Sequence, residues 1–289
     1  MYGWHETHFM TRFLKPAILI PAIAGFLLGV VVNVVQDYVT ARGGVVLTAV
    51  VVLAAVFGLV ALWYQSRPRP VGVTFRAPVT LRRPLDRELN ARRGLIVFVS
   101  LYRPTDPARQ GQSPADWLAA ARRGDYTALD LPQSNLALPI AGASSHAAKL
   151  EHCWLIATAD SQEQVGSVAY APILVRYLQE AAGLRRCTFY GHEDDRLAIP
   201  LDDDALVASK TRDVVNGIFR QAEQLGLTDN DVVADFSGCP RSMALGLILA
   251  CLDRNRDIQF VGTHYDEAGR PVGDLFPVLF AFAPEMGET

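Results

Sequence analysis

Two stretches near the N-terminus stand apart from the rest of the chain because they have no polar face. Residues 16–35 read PAILIPAIAGFLLGVVVNVV and residues 45–64 read VVLTAVVVLAAVFGLVALWY, each twenty residues without a charge. About 20 apolar residues in a helix span the hydrocarbon core of a bilayer. A helical pair in a globular core would keep a polar side, and a cleaved leader would account for only one of the two stretches. The pattern predicts a transmembrane helical hairpin in residues 1–65, its spans joined by QDYVTARGG at 36–44.

From Gly94 onward short apolar runs alternate with amphipathic segments. Strands are expected at 94–101, 153–159, 186–190 and 231–236, and helices at 113–123, 167–182, 202–225 and 241–252. Ser113 ahead of Pro114 has the order of an N-cap and first helical residue. Gly183 and Gly226 stand where helix ends need a left-handed residue. Two further apolar runs, 258–265 and 275–282, flank DEAGRPVGD and predict a hairpin. Alternating strands and helices imply an α/β, Rossmann-like fold with a mainly parallel sheet covered on both faces. Such sheets bind ligands beyond the carboxyl ends of their strands.

Charge refines the plan. Arg12 and Lys15 precede the first apolar stretch, and Arg67, Arg69, Arg76, Arg82 and Arg83 follow the second, whereas Arg42 in the connecting segment is offset by Asp37. The positive-inside rule places both termini in the cytoplasm, with Trp63 and Tyr64 at the inner aromatic belt. Gly25 and Gly29 have GxxxG spacing for helix contact. Neither stretch holds an ionisable residue, which leaves a proton relay or transport site without its usual groups. Residues 66–93 carry eight arginines against Asp86 and Glu88, a net of +6, and are rich in proline. They read as a basic juxtamembrane linker drawn to anionic lipid, with alternating Val71, Val73 and Phe75 marking a short strand. Residues 94–289 carry 16 basic and 26 acidic residues, a net of −10. That balance opposes a broad nucleic-acid surface, so no DNA partner is expected, and an anionic ligand needs a local pocket.

The polar residues cluster where strands end. Ser100, Tyr102 and Arg103 follow the first strand, Thr158, Asp160 and Ser161 the second, and Ser237, Gly238, Cys239, Arg241 and Ser242 the fourth. A helix start offers free N–H groups and a favourable dipole to a phosphate. Gly238 lets the backbone approach closely, and Arg241 can grip phosphate with two parallel bonds. The same turn also serves purely structural roles in this fold class. No GxGxxG follows a strand, and neither GxxxxGK[ST] nor GxSxG occurs, so the dinucleotide fingerprint, the P-loop and the hydrolase elbow are absent. The four cysteines form no CxxC pair and read as core residues. The GHEDD run at 191–195 reads as a solvated loop, because no second His or Cys has ligand spacing. No metal ligand and no catalytic residue are assigned.

The stretch DFSGCPRSMALGLILACL, 235–252, resembles the signature of the CRISPR-associated Rossmann-fold (CARF) domain, an aspartate followed by a Thr-Gly-Gly-Thr-Lys turn, a methionine and a small-residue helix. Asp235, Gly238, Arg241 and Met243 fall in register, and Ser237 stands for the threonine. CWLIATADSQ and FVGTHYDEAGRPVGD are similar to the family's second motif and terminal hairpin, so the likeness covers roughly 94–283. Cys239-Pro240 replaces Gly-Thr and Arg241 replaces lysine, which removes one backbone donor and changes the cation's geometry. The resemblance implies a homodimer, or higher oligomer, that binds cyclic oligoadenylate, with the tetra-adenylate ring favoured, and that needs no cofactor. Joined to the apolar hairpin, it implies a multi-pass protein of the bacterial inner membrane, an antiviral effector that disrupts or depolarises the lipid bilayer. A membrane-tethered ring nuclease and a sensor of another cyclic nucleotide are the alternatives.

Overall fold

The alternating runs fold into an open sheet whose central strand sends successive side chains to opposite faces. In a computed structural model of the chain, the described residues are 77–284, except 105, 107–110, 163, 194, 253, 255, 269 and 270, together with the strand Val73–Phe75 and residues 29, 32, 33, 36, 52 and 54–59. The chain divides into two units, Met1–Val71 and Gly72–Thr289. In the first unit the described positions are helical. Most of the two expected spans lies outside the described residues. Among the described residues no helix is long and apolar enough to cross a membrane.

The second unit is a mixed α/β domain built on an eight-stranded, mostly parallel sheet. Its strands in chain order are β1 (Val73–Phe75), β2 (Val79–Thr80), β3 (Gly94–Phe98), β4 (His152–Thr158), β5 (Thr188–Tyr190), β6 (Ala198–Ile199), β7 (Val232–Asp235), β8 (Ile258–Tyr265), β9 (Pro271–Phe280) and β10 (Phe282–Pro284). Its α-helices are α1 (Pro84–Asn90), α2 (Pro114–Arg122), α3 (Tyr126–Leu129), α4 (Ala137–Ser145), α5 (Ala171–Glu180), α6 (Asp204–Gln224) and α7 (Arg241–Leu252). The sheet order is β2-β9-β8-β7-β3-β4-β5, with β6 beside the end of β4, while β1 and β10 make a separate antiparallel ribbon. Strands β5, β4, β3, β7 and β8 are parallel; β9 and β2 are antiparallel additions.

Side chains in a strand alternate between faces, and both faces of β3 are buried. Leu95, Val97 and Val99 point to one side, where α2, α4 and α5 contribute Trp117, Ala143, Ile173, Leu174 and Leu178. Ile96 and Phe98 point to the other, against Val215, Ile218 and Phe219 of α6 and Met243, Leu247 and Ala250 of α7. The connections after β3 and β4 cover one face, and those before and after β7 cover the other. The strand order therefore reverses between β3 and β7, so the loops after these two neighbours diverge. Chain reversal at such a point opens a crevice beyond the carboxyl ends of the strands.

Several expected elements stand with small shifts. Ser113 caps α2 in a reciprocal box with Asp116. Asp203 caps α6 through Ala205 N and Leu206 N, and Gly183 and Gly226 have positive φ. The helix expected from 167 begins as a 3₁₀ turn, Ser167–Tyr170, before α5. Two expectations differ more. Residues 73–93 are not only a linker: β2 pairs with β9, and Leu81 is fully buried and donates its N–H to Pro277 O at 2.8 Å. The Arg82 guanidinium lies 3.9 Å from the Phe276 ring centre, Arg83 grips Asp86 with two bonds, and Arg87 Nε donates to Leu81 O. The folded unit thus begins near Gly72 rather than at Gly94. Helices α3 and α4 were not expected. The α4 sequence, ALPIAGASS, is small and apolar all round and most of it is buried, so it has no amphipathic period to announce it.

Candidate ligand-binding site

Strand β7 ends in a buried aspartate, and the chain must then turn sharply to start α7. Gly238 makes that turn with φ +69°. A Cβ there would lie 2.7 Å from Ser100 Oγ and 3.2 Å from Leu138 Cδ1, so glycine is required for conformation and for space. Ser100, beyond β3, donates its hydroxyl to Gly238 O at 2.8 Å. Ser237 N donates to Asp235 Oδ1 at 2.8 Å, and Ser237 Oγ accepts Val261 N–H at 2.6 Å, which ties the turn to β8. The twelve-residue helix α7 follows. Ala244 N bonds back to Pro240 O, and the N–H groups at 241–243 have no carbonyl of the helix to bond. The side chain of Arg241 is exposed, and among the described residues no acid pairs with it. A cavity of about 570 Å³ opens beside it, lined by Pro240, Arg241, Ser242 and Leu245 of this segment and by Asp204, Ala205 and Ala208 of α6.

The expected site residues divide into two sets. The structure brings together Ser100, Ser237 and Gly238, with Arg241 and Ser242 on the open side of the turn. Arg103 is exposed beyond β3, its N–H held by Asn135 Oδ1 at 2.9 Å. The other residues are engaged locally. Tyr102 is buried, packs against Trp117 and Tyr170, and donates its hydroxyl to Leu129 O. Thr158 is buried and clasps Ser167, its N–H donating to Ser167 Oγ at 2.8 Å while Ser167 N donates to Thr158 Oγ1 at 2.7 Å. Asp160 Oδ1 accepts Gly166 N–H at 2.6 Å, and Ser161 Oγ accepts Gln164 N–H at 3.0 Å, so both shape their own loop. The Cys239 thiol turns back toward Phe236 O at 3.2 Å, and burial pushes its pKa up to about 12. It is a protonated packing group rather than a nucleophile.

Beneath the turn lies a polar chain that the sequence did not disclose. Asp235 is 1% exposed. Gln259 Nε2 donates to its Oδ2 at 2.8 Å, and His146 Nε2 lies 2.8 Å from Gln259 Oε1. Arg92 N donates to His146 Nδ1 at 3.1 Å. Gln259 and His146 have no exposed surface. Burial raises the Asp235 carboxyl from its ordinary 3.8 to about 6, against the opposing bonds from Ser237 and Gln259. Burial lowers His146 from 6.5 to about 4, with the Gln259 bond opposing and the Arg92 charge reinforcing the shift. The imidazole is therefore neutral at pH 7 and the carboxyl mostly ionised. Gln259 and His146 stand 24 and 113 residues from their partners Asp235 and Gln259, so no local spacing could reveal them.

The hairpin of β8 and β9 continues beyond the last β7–β8 pair, Asp235 with Gln259. Phe260 leaves that pair and packs on Phe236 at 5.7 Å between ring centres, so the hairpin walls one side of the turn. Among the described residues no group of acidic, His and Cys side chains is arranged to hold a metal. Compared with known proteins, the chain matches no protein-family model and no curated protein sequence.

Proposed function

We propose that this protein is a membrane-anchored sensor of cyclic oligoadenylate. The ring phosphates dock on the turn at Gly238–Ser242, and the output is disruption or depolarisation of the bacterial inner membrane through residues 1–65. One observation supports the ligand reading above the others. At the point where strand order reverses, an exposed arginine, the free N–H groups of a helix start and an obligatory glycine converge on one open turn. That chemistry fits a phosphodiester. The signature likeness of residues 235–252 supplies the ligand class, and the two uncharged stretches at 16–35 and 45–64 supply the membrane. A two-fold homodimer would bring two copies of the turn to one ring, and the tetra-adenylate ring matches that symmetry.

Binding rather than turnover is the favoured activity. Pro240 withholds a backbone donor from the cradle, and the Cys239 thiol is protonated and turned inward. Isothermal titration of the purified full chain with cyclic tri-, tetra- and hexa-adenylate tests this reading. Arg241→Ala is expected to weaken binding of the preferred ring by about 1.5–3 kcal/mol, the range for a hydrogen bond to a charged group. Unchanged affinity in the folded variant would remove Arg241 from the site, and no binding of any ring would end the cyclic-oligoadenylate reading. Chromatography of the ligand after incubation with excess protein is expected to return it intact; rapid conversion to linear di-adenylate would make the protein a ring nuclease.

A further inference from the structure

Helix α4 touches the candidate turn and the amino end of the sheet with one face. Leu138 lies against Gly238, Gly142 lies against Asp235, and His146, the C-cap residue, bonds Gln259 and the Arg92 backbone. Positions 138, 142 and 146 are four apart, so they form one stripe on the helix, about 12 Å long at 1.5 Å per residue. The approach is close throughout. A Cβ on Gly142 would lie 2.7 Å from Asp235 Oδ2.

The hydrogen bonds along this stripe have one direction. Arg92 N–H donates to His146 Nδ1, which leaves the proton on Nε2 to donate to Gln259 Oε1; Gln259 Nε2 then donates to Asp235 Oδ2. The carboxylate closes the chain as an acceptor, taking Ser237 N–H on its other oxygen. Turning the Gln259 amide over would set donor against donor and oxygen against carboxylate, so every member depends on its neighbour. Arg92 is also fixed by its side chain. It pairs with Asp257 at 2.7 Å and donates to Asn90 O at the end of α1. The segment through which the chain from residues 1–71 reaches β3 is thus tied to the turn by part-buried bonds at Arg92 and fully buried ones at Gln259.

We propose that the Leu138–Gly142–His146 face of α4, with Gln259, couples the turn at Gly238 to the backbone at Arg92, so that occupation of the turn is read out at residues 90–93. His146 and Gln259 are positioning residues in this scheme. It rests on the reading of the turn as the ligand site. A ligand shifts such a unit only through its different affinity for two arrangements. The ring would favour the arrangement in which Ser237 and Gly238 hold their bonds to Asp235 and Ser100.

Hydrogen exchange of the Arg92 amide in the full chain, in detergent, tests the coupling. Saturating cyclic tetra-adenylate is expected to slow that exchange about tenfold in the parent protein, as local stabilisation does. In Gln259→Leu the ligand is expected to bind with the Arg92 rate unchanged. Binding without slower exchange in the parent, or slower exchange that persists in Gln259→Leu, would overturn the coupling and leave the ligand reading intact. If the ring fails to bind, the ligand reading falls, and the coupling is tested by substitution alone. Gly238→Ala forces Ser100 and Leu138 aside and is expected to speed Arg92 exchange about tenfold relative to Gly183→Ala. Gly183 has a comparable positive φ with nothing within 4 Å of its Cβ position. Equal effects of the two substitutions would mean global loosening only and would sink the proposal.

Discussion

At the scale of single residues, the two buried titratable groups of the polar chain oppose each other. Asp235 has its carboxyl raised from 3.8 to about 6. The unfolded chain releases that proton first, so stability falls as pH rises between these values, and about 3 kcal/mol is lost above them. His146 is lowered from 6.5 to about 4. Its contribution is full above 6.5 and is lost, again by about 3 kcal/mol, as pH falls toward 4. Between pH 4 and 6 the two nearly cancel. Denaturant melts of residues 72–289 are expected to show this by subtraction. Relative to the parent, Asp235→Asn gains stability from pH 4.5 to pH 7, and His146→Gln gains in the opposite direction. Slopes of the same sign would refute the assignment. Gly142→Ala, which drives a methyl into Asp235, is expected to destabilise by about 1–3 kcal/mol, as overpacking does. Asp235 was legible as part of a short signature. Gln259 and His146 were not, because an isolated Gln in a strand or His near a helix end carries no information about a partner brought in by sheet order.

At the scale of elements, legibility followed periodicity and caps. Helices α2, α6 and α7 were readable from Ser113, from Gly226 past the helix end and from the apolar run after Arg241, while α4 was hidden by being small, apolar and mostly buried, with no amphipathic period. Strand β2 was hidden by length, since two residues cannot show alternation. Its weight is nonetheless structural, because it carries fully buried Leu81 to the edge of β9. A fragment of residues 94–289 is therefore expected to be less stable than one of residues 72–289. The deficit should reach at least about 2 kcal/mol, the lower bound for truncating a buried leucine. Urea midpoints measure the difference, and equal midpoints would mean that residues 72–93 only decorate the domain. Among the site loops, the one after β7 leaves the Arg241 side chain exposed, whereas Thr158 and Tyr102 are claimed by Ser167 and by the aromatic core. A polar residue at a strand end is a site residue only if the loop leaves it unspent, and that is decided by packing.

At the scale of the whole molecule, the alternation of strands and helices was sufficient to anticipate a mostly parallel sheet, and the reversal between β3 and β7 follows from which face each helix covers. The proposed output belongs to this scale too. Cells producing the protein are expected to lose membrane potential only when cyclic oligoadenylate is also made, as read by a voltage-sensitive dye. Deleting residues 1–65 is expected to abolish the loss while ligand binding persists. Equal toxicity of the truncated chain would place the output in a soluble activity instead.

The packing of the domain has a practical corollary. Cys153, Cys187 and Cys251 are buried, and Cys239 is turned inward. Burial raises all four thiols, three of them to about 12 and Cys153 well above its ordinary value. Nucleophilic attack requires the thiolate, so the native protein should react sluggishly with maleimides and survive mild oxidants without loss of structure. A cysteine introduced at exposed Arg103 or Arg241 would then be the fast-reacting position on its chain. A fluorophore or spin label could be attached there without first stripping the native sulfurs, and the spacing of like labels would report whether the proposed homodimer forms.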